Sequence, residues 1–364
     1  MRLAAITFTE SGVRVGRKLQ THYPGLDLYL KEELITNDGE YPIENPFGPF
    51  VGQLFGQYQG LIFIMAAGIV VRKIAPYLRD KKSDPAVVVV DDLGQHVISL
   101  LSGHLGGANL LTKEIAGLLK AGPVITTSTD LHRVTAFDLL ADSNNMKLEG
   151  WSNLKYISGA LIDGKEIGLF SDLPIKKKLA PGITKGGGVA EFKEITIDSL
   201  EIFQQKWVGI VLISHQLIDE EFLKRWKLPI IIIRPKNLVI GLGFRRGKSG
   251  PELKEAFQKA CRRANICQDS ISKIATIDHK KDEPGLEQLK GDLNLVVEIL
   301  SKKQIKDVED RFEKSELVLK VLGVGGVAEP SAYLGSNRGE MVLKKTKLDG
   351  ITASIFKDKT ISVE

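Results

Sequence analysis

The sequence predicts a multi-domain α/β protein with open, mostly parallel or mixed sheets and flanking helices. Three observations carry that expectation. The chain has 364 residues, more than one ordinary core accommodates. Short apolar runs such as Leu61–Met65 and Val87–Val90 alternate with helical patterns, as in β-α units of a parallel sheet. Composition then shifts, because the three tryptophans, Trp151, Trp207 and Trp226, all fall within residues 151–236. The expected division is an amino-terminal α/β domain (1–150), a small middle domain (151–236) and a carboxyl-terminal α/β domain (237–364).

In chain order, Leu3–Phe8 reads as a strand, and Gly12 opens a helix through Leu19. Leu26–Leu30 is a second strand, and residues 37–49, with three prolines, read as a loop. Leu61–Met65 is a buried strand that Ala66, Ala67 and Gly68 turn into a helix ending near Leu78. Val87–Val90, four consecutive valines, is a strand buried on both faces. Asp91-Asp92-Leu93-Gly94 reads as a hairpin turn before a strand at Val97–Leu101, and its acids are placed at a strand's carboxyl end beside the glycine loop that follows. Residues 109–120 put Leu111, Ile115 and Leu118 on one stripe and so form a helix. Pro123–Thr127 is a further strand, and Asp130–Leu140 the closing helix.

Residues 176–188, rich in glycine and lysine, read as a long mobile loop, and Pro235-Lys236-Asn237 as a hinge. A third α/β unit starts at Leu238 and runs to about Phe356. It opens with a strand, a glycine turn and a helix whose Ser249 and Glu252 have the spacing of a capping box. Residues 275–286 and 321–329 each read as a strand running into a helix.

With 43% hydrophobic and 26% charged residues the chain is an ordinary globular protein, not a disordered one. The net charge of +5 favours anionic partners in general and selects none. Cys261 and Cys267, the two cysteines, have no CxxC partner for structural zinc and are too few for a disulfide framework, which fits a reducing compartment. The first residues lack a signal-peptide pattern, and the longest apolar runs are too short for a bilayer. A soluble, cytoplasmic protein without membrane contact is expected.

The strongest local feature is Ser102-Gly103-His104-Leu105-Gly106-Gly107-Ala108-Asn109, between a strand and a helix. Its three glycines let the backbone approach a ligand closely, and the helix N-terminus favours an anion. His104 suits a general base or a hydrogen bond to a carboxylate. A tight turn carrying an exposed histidine is the plainer reading, and both stand at this point. In the third unit, Arg245 and Arg246 suit carboxylates, which arginine grips with two parallel hydrogen bonds. Gly247-Lys248-Ser249 has the look of a P-loop end, but that motif needs glycine at position 242, where leucine stands. Lys280, Glu283 and Glu329 come to presumed strand ends in the two later loops.

Taken together these blocks resemble the cobalt-precorrin-5A hydrolases of anaerobic cobalamin biosynthesis. The resemblance rests on residues 64–72 (Ile64 to Arg72), Lys81 to Asp91, and Ser102 to Asn109 in the first unit. In the third unit it rests on Gly241-Leu242-Gly243 with Arg245-Arg246-Gly247, on Ile277-Asp278 with Lys280 and Glu283-Pro284-Gly285-Leu286, and on Gly323-Val324 with Val327-Ala328-Glu329. In the middle only Ile167 to Asp172 looks similar, and Phe244 stands where a small residue is frequent in the family.

The resemblance implies opening of the δ-lactone of a ring-contracted cobalt-corrinoid with release of acetaldehyde. For that reaction His104 is expected to activate water or to position the lactone, with Glu283 and Glu329 in support. The loop residues Ser102, Gly103, Gly106, Gly107 and Asn109 would meet the developing oxyanion. Gly243, Arg245, Arg246 and Lys280 would hold the carboxylated edge of the macrocycle, in a cleft between domains. The conjugated ring and its cobalt accept the electrons of carbon–carbon cleavage, so no protein cofactor and no metal-ligand cluster are expected. The implied partner is the small-molecule corrinoid, with no nucleic acid, and a homodimer is left open. A non-catalytic tetrapyrrole carrier and a nucleotide-binding switch remain as competing readings.

Overall fold

The computed structural model describes residues 1–80, 83–104, 106–176, 178–194 and 197–363. Lys81, Lys82 and Leu105 of the motifs above, and Lys177, lie outside them. The chain divides into two compact units, Met1–Leu139 and Leu140–Glu364.

The first unit holds a seven-stranded sheet in the order β3-β2-β1-β4-β5-β6-β7. Its strands are β1 (Leu3–Ile6), β2 (Asp27–Leu30), β3 (Glu40–Pro42), β4 (Gly60–Ile64), β5 (Ala86–Val90), β6 (His96–Leu101) and β7 (Gly122–Val124). The central runs are apolar because both faces are covered. Leu111 and Ile115 of the helix Ala108–Leu119 pack on one face, and Phe50, Leu54, Val70 and Ile74 on the other. Residues 37–49 are not simply a loop. They contain β3 and the start of a helix, Phe47–Gln57, because an edge strand and a first helical turn both tolerate proline, which has no N–H to donate. The closing helix is broken into Ser128–Leu131 and Phe137–Ser143, with Arg133 in the left-handed region between them (φ 54°).

One strand direction moves the candidate loop. β5 and β6 form the expected hairpin and pair antiparallel, Val87 opposite Leu101 and Val90 opposite Val97. The end of β6 therefore lies at the start of β5. Ser102–His104 and Gly106–Asn109 sit on the sheet edge opposite Asp91 and Asp92, not beside them. Asp92 instead receives the hydroxyls of Thr9 and Ser11 at the end of β1.

The second unit holds two five-stranded sheets. The first, ordered β10-β9-β11-β12-β8, comprises β8 (Lys147–Glu149), β9 (Ile167–Ser171), β10 (Ile183–Gly187), β11 (Ile210–Ile213) and β12 (Ile230–Arg234). β8 runs antiparallel to β12, and β10 lies inside the segment read as a mobile loop. Buried Phe170, Phe192, Trp207 and Trp226 fill its core. The second sheet, ordered β15-β14-β13-β17-β16, comprises β13 (Leu238–Phe244), β14 (Ile271–Ile277), β15 (Val296–Leu300), β16 (Glu340–Leu348) and β17 (Ile351–Lys357). The capping box of Ser249 and Glu252 forms as expected. Val321 is not in a strand: Glu316–Leu322 is a helix that Gly323 ends in the left-handed conformation (φ 71°).

Helix Ala328–Gly335 lies directly on β13. A Cβ on Gly241 would fall 1.9 Å from the Ala328 carbonyl oxygen. Gly241→Ala is thus expected to lower stability by about 2 kcal/mol or more, read as a lower urea midpoint. Among the described residues no helix is long and apolar enough to cross a membrane, and Cys261 and Cys267 are free, buried thiols.

Candidate functional site

The loop after β6 folds tightly on itself. Ser102 is left-handed (φ 56°) and its hydroxyl donates to the Asp84 carbonyl at 3.0 Å. Gly106 packs against Ser102, Gly103 against the Asn109 side chain, and Gly107 (φ 85°) caps the helix Ala108–Leu119. These contacts use up the helix's first donors: the N–H groups of Gly107, Ala108 and Asn109 go to the carbonyls of His104, Ser102 and Gly103 at 2.9, 3.1 and 2.9 Å. The expected anion cradle of Gly107 and Asn109 N–H groups is therefore closed by the loop's own carbonyls.

Asn109 is likewise engaged within the protein. Its Oδ1 accepts from the Ser99 hydroxyl at 2.6 Å, and its Nδ2 donates to Thr127 at 3.0 Å and to Asp130 at 2.8 Å. It ties the strand, the helix and the segment after β7 together, which makes it a support for the site.

His104 is what this scaffold presents. Its side chain is 17% exposed. Nε2 lies 3.1 Å from Asp130 Oδ2 and 2.9 Å from the Thr129 hydroxyl, and Nδ1 faces Asp138 at 3.9 Å. Asp138 first, and Asp130 after it, raise the imidazole above its ordinary value against the opposing effect of burial. Burial pushes the Asp138 carboxyl up, but His104 and the Leu139 N–H outweigh it and leave it below the usual range.

The other candidates gather in the third sheet. Arg245 and Arg246 are exposed at the end of β13, on the rim of a pocket of about 500 Å³. Phe244, Ile277, Val318, Leu322 and Val327 give it an apolar lining. Gly243 lines it too, in close contact with Thr352. Arg246 Nη2 lies 3.3 Å from His279 Nε2.

Three candidates have partners within the protein. Lys280 is largely buried yet lines the pocket; its ammonium pairs with Glu283 at 3.1 Å and lies 5.0 Å from the Phe244 ring centre. Glu283 also accepts the Gly247 N–H at 3.1 Å. Burial raises its carboxyl, but Gly247, Lys280 and Arg246 together hold it below the ordinary value, which makes it a weaker base. Glu329 is 3% exposed and accepts the Lys345 N–H at 3.0 Å. It starts a helix that follows another helix, not a strand as expected. Lys248 pairs with Glu252 at 2.7 Å, so the helix start that resembled a P-loop is occupied by its own carboxylate.

Family models match three successive segments. They are the cobalamin synthesis G N-terminal domain (49–130), the cobalamin biosynthesis central region (135–235) and the cobalamin synthesis G C-terminus (238–356). The cobalt-precorrin-5A hydrolase of Salmonella typhimurium is 33% identical over 354 residues, covering 97% of each chain. The chain belongs to the cobalt-precorrin-5A hydrolase family. A second member, from Priestia megaterium, is 32% identical over 359 residues, covering 97% of this chain and 94% of its own. The solved structure of a cobalamin biosynthesis protein G homologue from Sulfolobus solfataricus covers 98% of this chain and 96% of that one, at 18% identity and a TM-score of 0.38.

In this family member the sequence reading missed Thr129, Asp130 and Asp138, which lie 25 to 34 positions after His104 and meet it only in the fold. It also passed over a cluster at the carboxyl ends of β9 and β11. Asp172 there accepts the Val189 N–H at 3.0 Å and the Ser214 hydroxyl, and Lys193 donates to Gln216 at 2.8 Å. Buried His215 is held neutral, pushed down to about 4 by burial and then by Lys357. Glu149, Cys267 and Asp269 each bring one ligand atom within 4.8 Å of the others. A cation there would have to displace Arg234 from Glu149 and Lys147 from Asp269, which pair at 3.1 and 2.6 Å.

Proposed function

We propose that the chain hydrolyses cobalt-precorrin-5A, opening its δ-lactone and releasing acetaldehyde. The observation that carries the reading is the pocket of the third sheet. Its apolar lining suits the flat face of a macrocycle, and Arg245 and Arg246 on its rim suit the acetate and propionate carboxylates at the edge. The full-length likeness to curated members supports the reaction.

Water adds to the lactone carbonyl and the ring C–O bond breaks. The alcohol so formed then loses its O–H proton, its C–C bond breaks, and acetaldehyde departs. The electron pair stays with the conjugated macrocycle, whose carbon takes up a proton. Cobalt enters as part of the substrate. His104 is the side chain assigned to proton transfer. The corrinoid is the only partner the reading requires; it calls for no nucleic acid and leaves a homodimer open. A cytoplasmic site of action fits the two free thiols.

A turnover assay with cobalt-precorrin-5A tests this, with acetaldehyde as the readout. Corrinoid bound but unchanged, with no acetaldehyde, would show a carrier instead. Arg245→Ala and Arg246→Ala are each expected to weaken corrinoid binding by roughly 1–3 kcal/mol and to flatten its salt dependence. Unchanged affinity in both variants returns these residues to ordinary surface charge.

A further inference from the structure

We propose that Asp138 and Asp130 are positioning residues that hold His104 as an imidazolium, so that it donates a proton to the oxygen leaving the lactone. The inference rests on the reading of His104 as the proton-transfer group and assigns its direction. A neutral imidazole has one N–H donor and one lone pair, whereas both nitrogens are donors in the charged form. Here both nitrogens face carboxylates, Nε2 that of Asp130 at 3.1 Å and Nδ1 that of Asp138 at 3.9 Å. A neutral ring would turn a lone pair towards one of them.

The two acids are not equivalent. Asp130, on the helix Ser128–Leu131, also accepts from Asn109 at 2.8 Å and from Lys113 at 3.3 Å, Lys113 reaching over from the helix Ala108–Leu119. Part of its charge is already compensated. Asp138, on the helix Phe137–Ser143, is the more buried, with its side chain 12% exposed against 25% for Asp130. Less screened by water, it acts more strongly on the ring. The Nε2 edge carries Asp130, the more exposed of the two acids, and Thr129, and is the edge assigned to the substrate oxygen, which would displace Asp130 from it.

Water attacks the lactone carbonyl, the C–O bond breaks, and the departing alkoxide takes the Nε2 proton to become the alcohol. The water sheds two protons on its way to the new carboxylate. One restores the imidazolium and the other passes to solvent.

A donor and an acceptor predict opposite pH limbs. A donating His104 makes turnover fall as pH rises through its ionisation, because the proton is then absent; an accepting one makes turnover fall as pH drops. The experiment follows acetaldehyde release against pH for the full chain and for Asp138→Asn, Asp138→Glu and His104→Ala. Histidine ¹⁵N spectra, in which the His104→Ala variant assigns the resonance, follow the ring directly. The wild type is expected to show an alkaline limb that coincides with the His104 titration. Asp138→Asn should move both to lower pH by about one unit or more with KM little changed, and Asp138→Glu should restore part of the shift. An acidic limb in its place, or an Asp138→Asn variant that loses rate with both curves unmoved, overturns the proposal. Near wild-type turnover by His104→Ala overturns the catalytic reading beneath it. Loss of turnover in that variant, with unmoved curves in Asp138→Asn, overturns this inference alone.

Discussion

Replacing His104 with alanine is expected to slow acetaldehyde release from cobalt-precorrin-5A by about a hundredfold or more while corrinoid binding and fold survive. The fold should survive because the neighbours keep other partners. Asp130 retains Asn109 and Lys113, Asp138 retains the Leu139 N–H, and the loop is closed by backbone bonds from Gly107, Ala108 and Asn109. The rate should fall because the alternatives are poorer. Glu283 is held below its ordinary value by Gly247, Lys280 and Arg246, and Glu329 is buried against the Lys345 N–H. Trapping acetaldehyde with a coupled dehydrogenase gives the rate, and a urea melt checks the fold. Turnover close to wild type would transfer the proton chemistry to those carboxylates or to the substrate's own.

Glu283→Ala is expected to cost about 3 kcal/mol of stability. The Lys280 side chain is 6% exposed, so removing its partner leaves a buried ammonium uncompensated, and the Gly247 N–H loses its acceptor as well. Losing one partner costs more than losing both, since a buried charge with no partner carries the full desolvation penalty. Lys280→Met combined with Glu283→Gln should therefore be milder than Glu283→Ala alone. The pH dependence has a definite sign. The folded carboxyl lies below its ordinary value, so its contribution is present above the unfolded value of about 4.3 and is lost as pH falls through the folded one. Since Lys280 lies over the Phe244 ring, the single variant should also loosen the pocket beside Arg245 and Arg246. An unchanged urea midpoint would show the pair to be solvated in solution.

Much of the architecture was legible because it is written in short-range signals. Four valines in a row need cover on both faces wherever they lie, and Val87–Val90 is buried in the centre of its sheet. Ser249 and Glu252 cap their helix through contacts three residues apart. Misreadings came where a local signal had two outcomes. The prolines of residues 37–49 suggested a loop, yet Pro42 sits in an edge strand and Pro49 in a first helical turn. Val321 and Leu322 are apolar enough for a strand and instead end a helix beside the pocket.

By itself the sequence determined the α/β class, the order of the motifs that mark the family, and the candidates His104, Arg245 and Arg246. Only the tertiary structure decided what those candidates touch. The hairpin between β5 and β6 carried the glycine loop away from Asp91 and Asp92, because reversing one strand exchanges the edge at which it ends. The parallel pairing of β6 with β7 brought the segments after both strands to one edge, where Asp130 and Asp138 close on His104. The fold joined Lys280 and Glu283, ahead of the helix Pro284–Leu293, in a buried ion pair whose lysine still lines the pocket. Ionisable groups separated by many residues influence one another through distance and burial, and neither quantity exists until the chain has folded.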